Sequence, residues 1–389
     1  MMKIRTITTA AAMVAALQCV SAQRADVSSA LDALVESRYS DDAPGAAIIV
    51  ARGDTILYER YIGVADMASG EKIGATTRFN IASCSKQFTV VGLLRLAELG
   101  LVDLDAPMTE HLPYLTHAIW RKITPRHLMS HASGLPDSRP RHDRQATVVA
   151  DDAFSEAYFT GLTELKFEPG SDYDYLNPSF ILLSRIIERV AEVPFTVYQQ
   201  RYLFEPAGMY ATYYFDAAAR PSRAAHGYLN AYAAGDDGDT DGSPKVLRGE
   251  SQWQEYDYGE ETFFGTRPDG GIYSTARDLL AWEKALRCNT IISAAALSEA
   301  YTRHIRVTGS PWCDYQNRPN TWYGYGWFID DTPGRKLKIY HTGDNGGYKA
   351  YLAKYPTDDT VVIVLENRCD LDRWAFGLAI ERALYGGSE

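Results

Sequence analysis

The stretch RFNIASCSKQF, Arg78–Phe88, sets two serines and a lysine within four positions, Ser83-Cys84-Ser85-Lys86, where an apolar helical pattern begins. A serine hydroxyl becomes a useful nucleophile only when a neighbouring base takes its proton. Ser83 and Lys86 stand three apart, so a helix places both side chains on one face, a turn from each other. Lysine is ordinarily protonated, and burial beside polar groups is what makes its amine available as a base. A helix start adds a positive end that favours a developing oxyanion. Taken singly the spacing also fits two ordinary helix-surface residues. The helix is predicted to run from Ser83 to Leu99 and to stop at Gly100.

Outward from this point the texture is uneven. Residues 26–39 place Val27, Ala30, Leu31 and Leu34 at helical spacing. PGAAIIVARGDTILYERYIGVAD (44–66) reads as two β-branched runs turning at Gly53-Asp54, which also explains Arg52-Gly53-Asp54 without an adhesive role. After the helix at Ser83, helices are predicted around 125–131, 147–159, 178–192 and 195–203. Strands return late, at 322–330, 336–343, 347–356 and 360–367, and a closing helix spans 371–385. The two ends together predict an α+β fold: an antiparallel sheet flanked by N- and C-terminal helices, with an inserted, mainly helical domain. The expected division is 1–22 as a signal peptide, 23–75 with 255–389 as a discontinuous sheet domain, and 76–254 as the helical insertion carrying Ser83 at its start.

The first 22 residues carry Lys3 and Arg5, then AAAMVAALQCV, then the small residues Val20-Ser21-Ala22. This is the layout of a cleaved leader and predicts a periplasmic or secreted protein. Gln18 argues against lipid attachment at Cys19. The 389-residue chain has a formal charge of −11, which loss of Lys3 and Arg5 takes to −13. Basic residues form no stripe, so nucleic acid is not an expected partner. No later segment has the run of apolar residues a membrane span needs. Cys84, Cys288, Cys313 and Cys369 allow three disulfide pairings or free thiols, and the sequence does not choose among them. In AAGDDGDTDGSP (233–244), Asp237, Asp239, Asp241 and Gly242 match the opening of a calcium loop, but Arg248 occupies the position of the bidentate glutamate. His111, His117, His127 and His131 follow no zinc-ligand spacing. G-x-S-x-G is absent, as are the glycine patterns of nucleotide-binding loops.

Two further triplets join the serine and lysine: Tyr175-Leu176-Asn177 in YDYLNPSF and His341-Thr342-Gly343 in IYHTGDNGGY. Singly, each is ordinary; Tyr175 is one of 26 tyrosines. In this order, and with ITPRHLMSHASGLPD (123–137), LGLVDLDAPMTEHLP (99–113), GGIYSTARDLLAW (270–282) and YGYGWFI (323–329) between them, the chain resembles the serine β-lactamase and penicillin-binding-protein family, specifically its class C-like branch, from about residue 40 to 367. The resemblance implies Ser83 as acylated nucleophile, Lys86 as its proton partner and Tyr175 as sharer of that task. It implies Asn177 as a hydrogen-bond partner of Lys86 and of the substrate amide, and His341, Thr342 and Gly343 as the strand lining the cleft. The N–H groups of Ser83 and Asp344 would form the oxyanion hole. It implies no metal and no organic cofactor.

The expected substrate is a small molecule, ester or peptide: a D-amino-acid peptide, a small ester or a β-lactam. His341 replaces the more usual lysine of K-T-G, and the Asp344 carboxylate would repel an anionic substrate end, which points to a neutral or cationic one. The aromatic stretch 252–264 reads either as cleft lining or as core. Oligomeric state is not legible. The alternative is a non-catalytic module that binds peptidoglycan-type ligands, from which loss of at least one of these residues is expected.

Overall fold

The computed structural model describes residues 27–138, 151–214, 216, 223–230, 252–257, 266–307 and 320–386. The leader, the aspartate-rich loop with Arg248, Cys313 and residues 258–264 lie outside these.

The run AAIIVAR is apolar at every position but the last because both of its faces are covered. It forms the strand Ala46–Arg52. Strand Thr55–Ile62 flanks it on one side, and the last strand, Thr360–Glu366, pairs with it antiparallel from Ala46 opposite Glu366 to Arg52 opposite Thr360. The two ends of the chain are thereby joined in one sheet. That sheet has eight strands, in the order 305–306, 321–323, 328–330, 338–345, 348–355, 360–366, 46–52 and 55–62. Ala47, Ile49 and Ala51 pack with Ile363 and Leu365 into the core shared with the helical middle of the chain. Ala46, Ile48 and Val50 point the other way, with Val362 and Val364, beneath Leu31 and Val35 of the 27–36 helix and Phe376 and Ile380 of the closing helix Arg373–Tyr385.

The helix Lys86–Glu98 is buried along most of its length, including Lys86 and Gln87. Phe88 stacks on Trp282 with ring centroids 4.2 Å apart, and the Trp282 indole N–H donates to Gln87 Oε1 at 2.8 Å. Helix Ser179–Ala191 packs beside it through Phe180, Leu183 and Ile187.

Three local expectations are corrected. The helix begins at Lys86, not Ser83; residues Ala82–Ser85 form a tighter 3-10 turn leading into it. WYGYGWFID is not one strand but a hairpin of Thr321–Tyr323 and Phe328–Asp330. Gly326 turns the chain at φ +78°, and Gly324 lies so close to the Ala300 carbonyl that a Cβ would stand 2.1 Å from its oxygen. Residues after Phe195–Gln199 continue as a wider π turn, Gln200–Phe204. Cys84, Cys288 and Cys369 form no disulfide with one another.

Candidate active site

The turn that carries Ser83 is shaped by its neighbours. Strand Phe79–Asn80 pairs with Ile272–Ser274, and Ala82 adopts φ +46°, a conformation costly for a residue with a Cβ. Asn80 Oδ1 accepts the Ala82 N–H at 2.8 Å and holds that bend. Ser85 points away from the pair, its hydroxyl oxygen accepting from the Ile272 N–H at 3.2 Å, and so serves packing. Three residues on from Ser83, the Lys86 amine reaches back to its hydroxyl.

Lys86 Nζ stands 3.0 Å from Ser83 Oγ and 2.9 Å from the Asp269 carbonyl oxygen, and the lysine is fully buried. The ring of Tyr175 lies 5.0 Å from Nζ and that of Phe180 5.5 Å, so aromatic rings rather than water surround the amine. Asn177 is placed by the turn into helix Ser179–Ala191, yet its Oδ1 is buried and accepts no hydrogen bond. The Lys86–Asn177 bond implied by the resemblance is not made through that oxygen; the Asp269 carbonyl holds Nζ instead.

The strand Lys338–Asn345 runs against the Ser83 turn. Gly343 permits this approach: a Cβ there would lie 2.3 Å from Ile81 O and 3.0 Å from Ala82 Cβ. His341 is buried, its Nδ1 2.6 Å from Thr342 O and its Nε2 3.1 Å from the Tyr323 hydroxyl. The carbonyl can only accept, which assigns the proton to Nδ1 and leaves Nε2 to accept from Tyr323. Burial, followed by the Lys86 charge, pushes the imidazole down to about 3, so His341 is neutral at pH 7.

Asp344 does not act as a lone carboxylate. Arg373, at the start of the closing helix, forms an ion pair with Oδ2, and Lys349 lies 3.5 Å from Oδ1. Both cations are buried, and Arg373 also donates to Thr342 Oγ1 at 3.4 Å. One negative and two positive side chains meet here, so Asp344 is not the lone negative charge read from the sequence.

His131 is a residue the spacing argument passed over. Three of the four histidines do turn or capping work: His111 bonds Asp103 O, the His117 ring accepts from Ile119, and His127 closes a capping box with Thr124. His131 instead follows the short helix Pro125–Met129 at φ +58°. Its Nδ1 accepts the Leu176 N–H at 3.1 Å and its carbonyl accepts the Asp174 N–H at 2.9 Å, clamping the Tyr175 loop from both sides. The ring centroid lies 4.3 Å from that of Tyr175. Burial, with Lys86 and His341 adding to it, holds its proton affinity well below the usual range, so it is neutral, and Nε2 is buried without a hydrogen bond. The quoted stretch MSHASG contains it, but its partners lie more than forty positions further along the chain.

An antiparallel sheet closed by both chain ends, with an S-x-x-K turn against the H-T-G strand and a Y-x-N loop above the lysine, defines the serine β-lactamase and penicillin-binding-protein fold. The chain belongs to the beta-lactamase family, whose family model matches residues 27–382. It is 27% identical over 342 residues to penicillin-binding protein 4* of Bacillus subtilis, covering 87% of this chain and 71% of that one. A penicillin-binding protein of Bacillus halodurans superposes with a TM-score of 0.73 at 26% identity, over 90% of this chain and 98% of that one. The D-amino acid amidase of Ochrobactrum anthropi SV3, solved with D-phenylalanine, shares the fold at a TM-score of 0.72 and 21% identity, over 93% and 98% of the two chains. No helix among the described residues is long and apolar enough to cross a membrane.

Proposed function

We propose that the protein is an exported serine hydrolase that acylates Ser83 with an amide or ester substrate, its natural one a peptide, and releases the acyl group to water. The observation that carries this is the buried Lys86 amine in hydrogen-bond contact with Ser83 Oγ, 3.0 Å away. Export rests on the residue pattern of positions 1–22.

In the forward step Ser83 Oγ bonds the substrate carbonyl carbon while its proton passes to the Lys86–Tyr175 pair. The N–H groups of Ser83 and Asp344 stabilise the oxyanion, the proton moves to the leaving nitrogen or oxygen, and the carbonyl–leaving-group bond breaks. Water then attacks the acyl-serine ester by the reverse proton path. The buried, unfilled Oδ1 of Asn177 accepts the N–H of the substrate's acyl side. The Arg373 and Lys349 charges around Asp344 suit a peptide or β-lactam whose nearby end is a carboxylate. Resemblance to penicillin-binding proteins and to a D-amino acid amidase supports an amide substrate.

Intact-protein mass after exposure to a fluorophosphonate and, separately, to a penicillin tests this reading with wild type and Ser83→Ala. The expected result is a single adduct from the fluorophosphonate in wild type and none in the variant; turnover or an adduct with penicillin places β-lactams among the ligands. A folded wild type that reacts with neither would support a binding module instead.

A further inference from the structure

The hairpin formed by strands Tyr228–Asn230 and Trp253–Glu255 brings His226, Glu255 and Asp257 together, with their potential ligand atoms all within 4.8 Å of one another. His226 Nδ1 lies 2.7 Å from Glu255 Oε1 and 3.0 Å from Asp257 Oδ2. Despite those distances Nδ1 is buried and makes no hydrogen bond, because neither oxygen stands on the axis along which the ring nitrogen points. An imidazolium holding two carboxylates by ion pairing would aim its N–H at one of them. Around a metal the geometry differs. With ligand distances of ~2.1 Å, a cation on the nitrogen's axis would leave oxygens at these separations roughly 45–50° off that axis. The corresponding angles at the metal are roughly 80–90°, those of neighbouring octahedral positions rather than tetrahedral ones.

We propose that His226 Nδ1, Glu255 Oε1 and Asp257 Oδ2 form one face of a binding site for a divalent first-row cation with octahedral preference, such as Mn2+. The surroundings hold the donors in place as an outer shell would. Asp257 Oδ2 accepts from the Gly227 N–H at 3.2 Å, and the Tyr348 hydroxyl, whose nearer acceptor is the Ala225 carbonyl at 2.8 Å, lies 3.1 Å from it. Glu255 is half-exposed. Gly347 N–H donates to Tyr256 O at 2.8 Å, so the cation would fasten this hairpin to the turn between strands Lys338–Asn345 and Tyr348–Tyr355, which ends the strand lining the Ser83 cleft.

The test uses the whole chain, dialysed against a chelator and then titrated with Mn2+ and, separately, Zn2+. Bound metal is measured by equilibrium dialysis with elemental analysis, and the unfolding temperature is followed in parallel. Wild type is expected to bind one equivalent with a rise in unfolding temperature. Glu255→Gln, an exposed and conservative change checked for folding by circular dichroism, is expected to bind at least about tenfold more weakly. His226→Gln stands in if that variant does not fold. Absence of binding in wild type overturns the proposal. So does equal affinity in the folded variant, which would place the cation elsewhere, for example at the aspartates of 236–241.

Discussion

Asp344 shows how a residue's neighbours decide its electrostatic meaning. In the sequence it reads as a negative charge beside the cleft, and only the fold brings Arg373 and Lys349 to it. Replacing Asp344 by Asn leaves two buried cations with one fewer counter-charge. The ratio of kcat/KM for a carboxylate-bearing peptide to that for its neutral amide should therefore rise about tenfold, corresponding to ~1.4 kcal/mol of charge interaction. Steady-state kinetics on the two substrates measures it, and an unchanged or lowered ratio would remove Arg373 and Lys349 from substrate recognition. Ser83, Lys86, Tyr175 and His341 could be named as candidates from the sequence because they stand in short motifs. His131, Arg373 and Lys349 could not, because each acts through a partner reached only by folding.

Among the elements, the strand Lys338–Asn345 approaches the Ser83 turn most closely at Gly343. Gly343 sets that distance. A methyl group there meets Ile81 O at 2.3 Å, and backbone rather than a flexible side chain must yield. Gly343→Ala should retain the sheet, whose other pairings are untouched, while lowering kcat by about 100-fold, the order of loss expected from a displacement of ~1 Å. Far-ultraviolet circular dichroism with kcat separates misplacement from unfolding; full activity would show that the contact does not set the site. The same scale explains which element expectations failed. The S-x-x-K spacing survives a 3-10 turn as well as a helix, so it could not locate the helix start. In 322–330 the β-rich aromatics read as one strand, although the two glycines mark a reversal forced by the approach to Ala300.

For the whole molecule, the sheet was legible because a fully apolar strand needs cover on both faces and a late apolar strand stood ready to pair with it. The buried ionisable groups were not, since burial is a property of the assembled core. They make stability depend on pH. His341, pushed from 6.5 down to about 3, binds fewer protons folded than unfolded between those values, so its contribution is whole above pH 6.5 and is lost as pH falls. His131 acts in the same direction. Asp152, pushed by burial from 3.8 up to about 7, acts oppositely: folded protein binds more protons in that window, and its contribution is lost as pH rises. Urea unfolding at pH 5, 6 and 7.5 should find wild type less stable at pH 5, the loss on acidification shallower in His341→Gln and steeper in Asp152→Asn. A pH slope unaltered by His341→Gln would contradict the neutral, buried imidazole.

Activation of Ser83 by buried Lys86 is tested by the second-order rate at which a fluorophosphonate modifies Ser83 in wild type and in Lys86→Met, the latter confirmed to be folded. The rate should fall by at least about a thousandfold in the variant, since the hydroxyl keeps its place and loses its base. Modification of Ser83 at the wild-type rate in Lys86→Met would contradict it and move the general base elsewhere in the site.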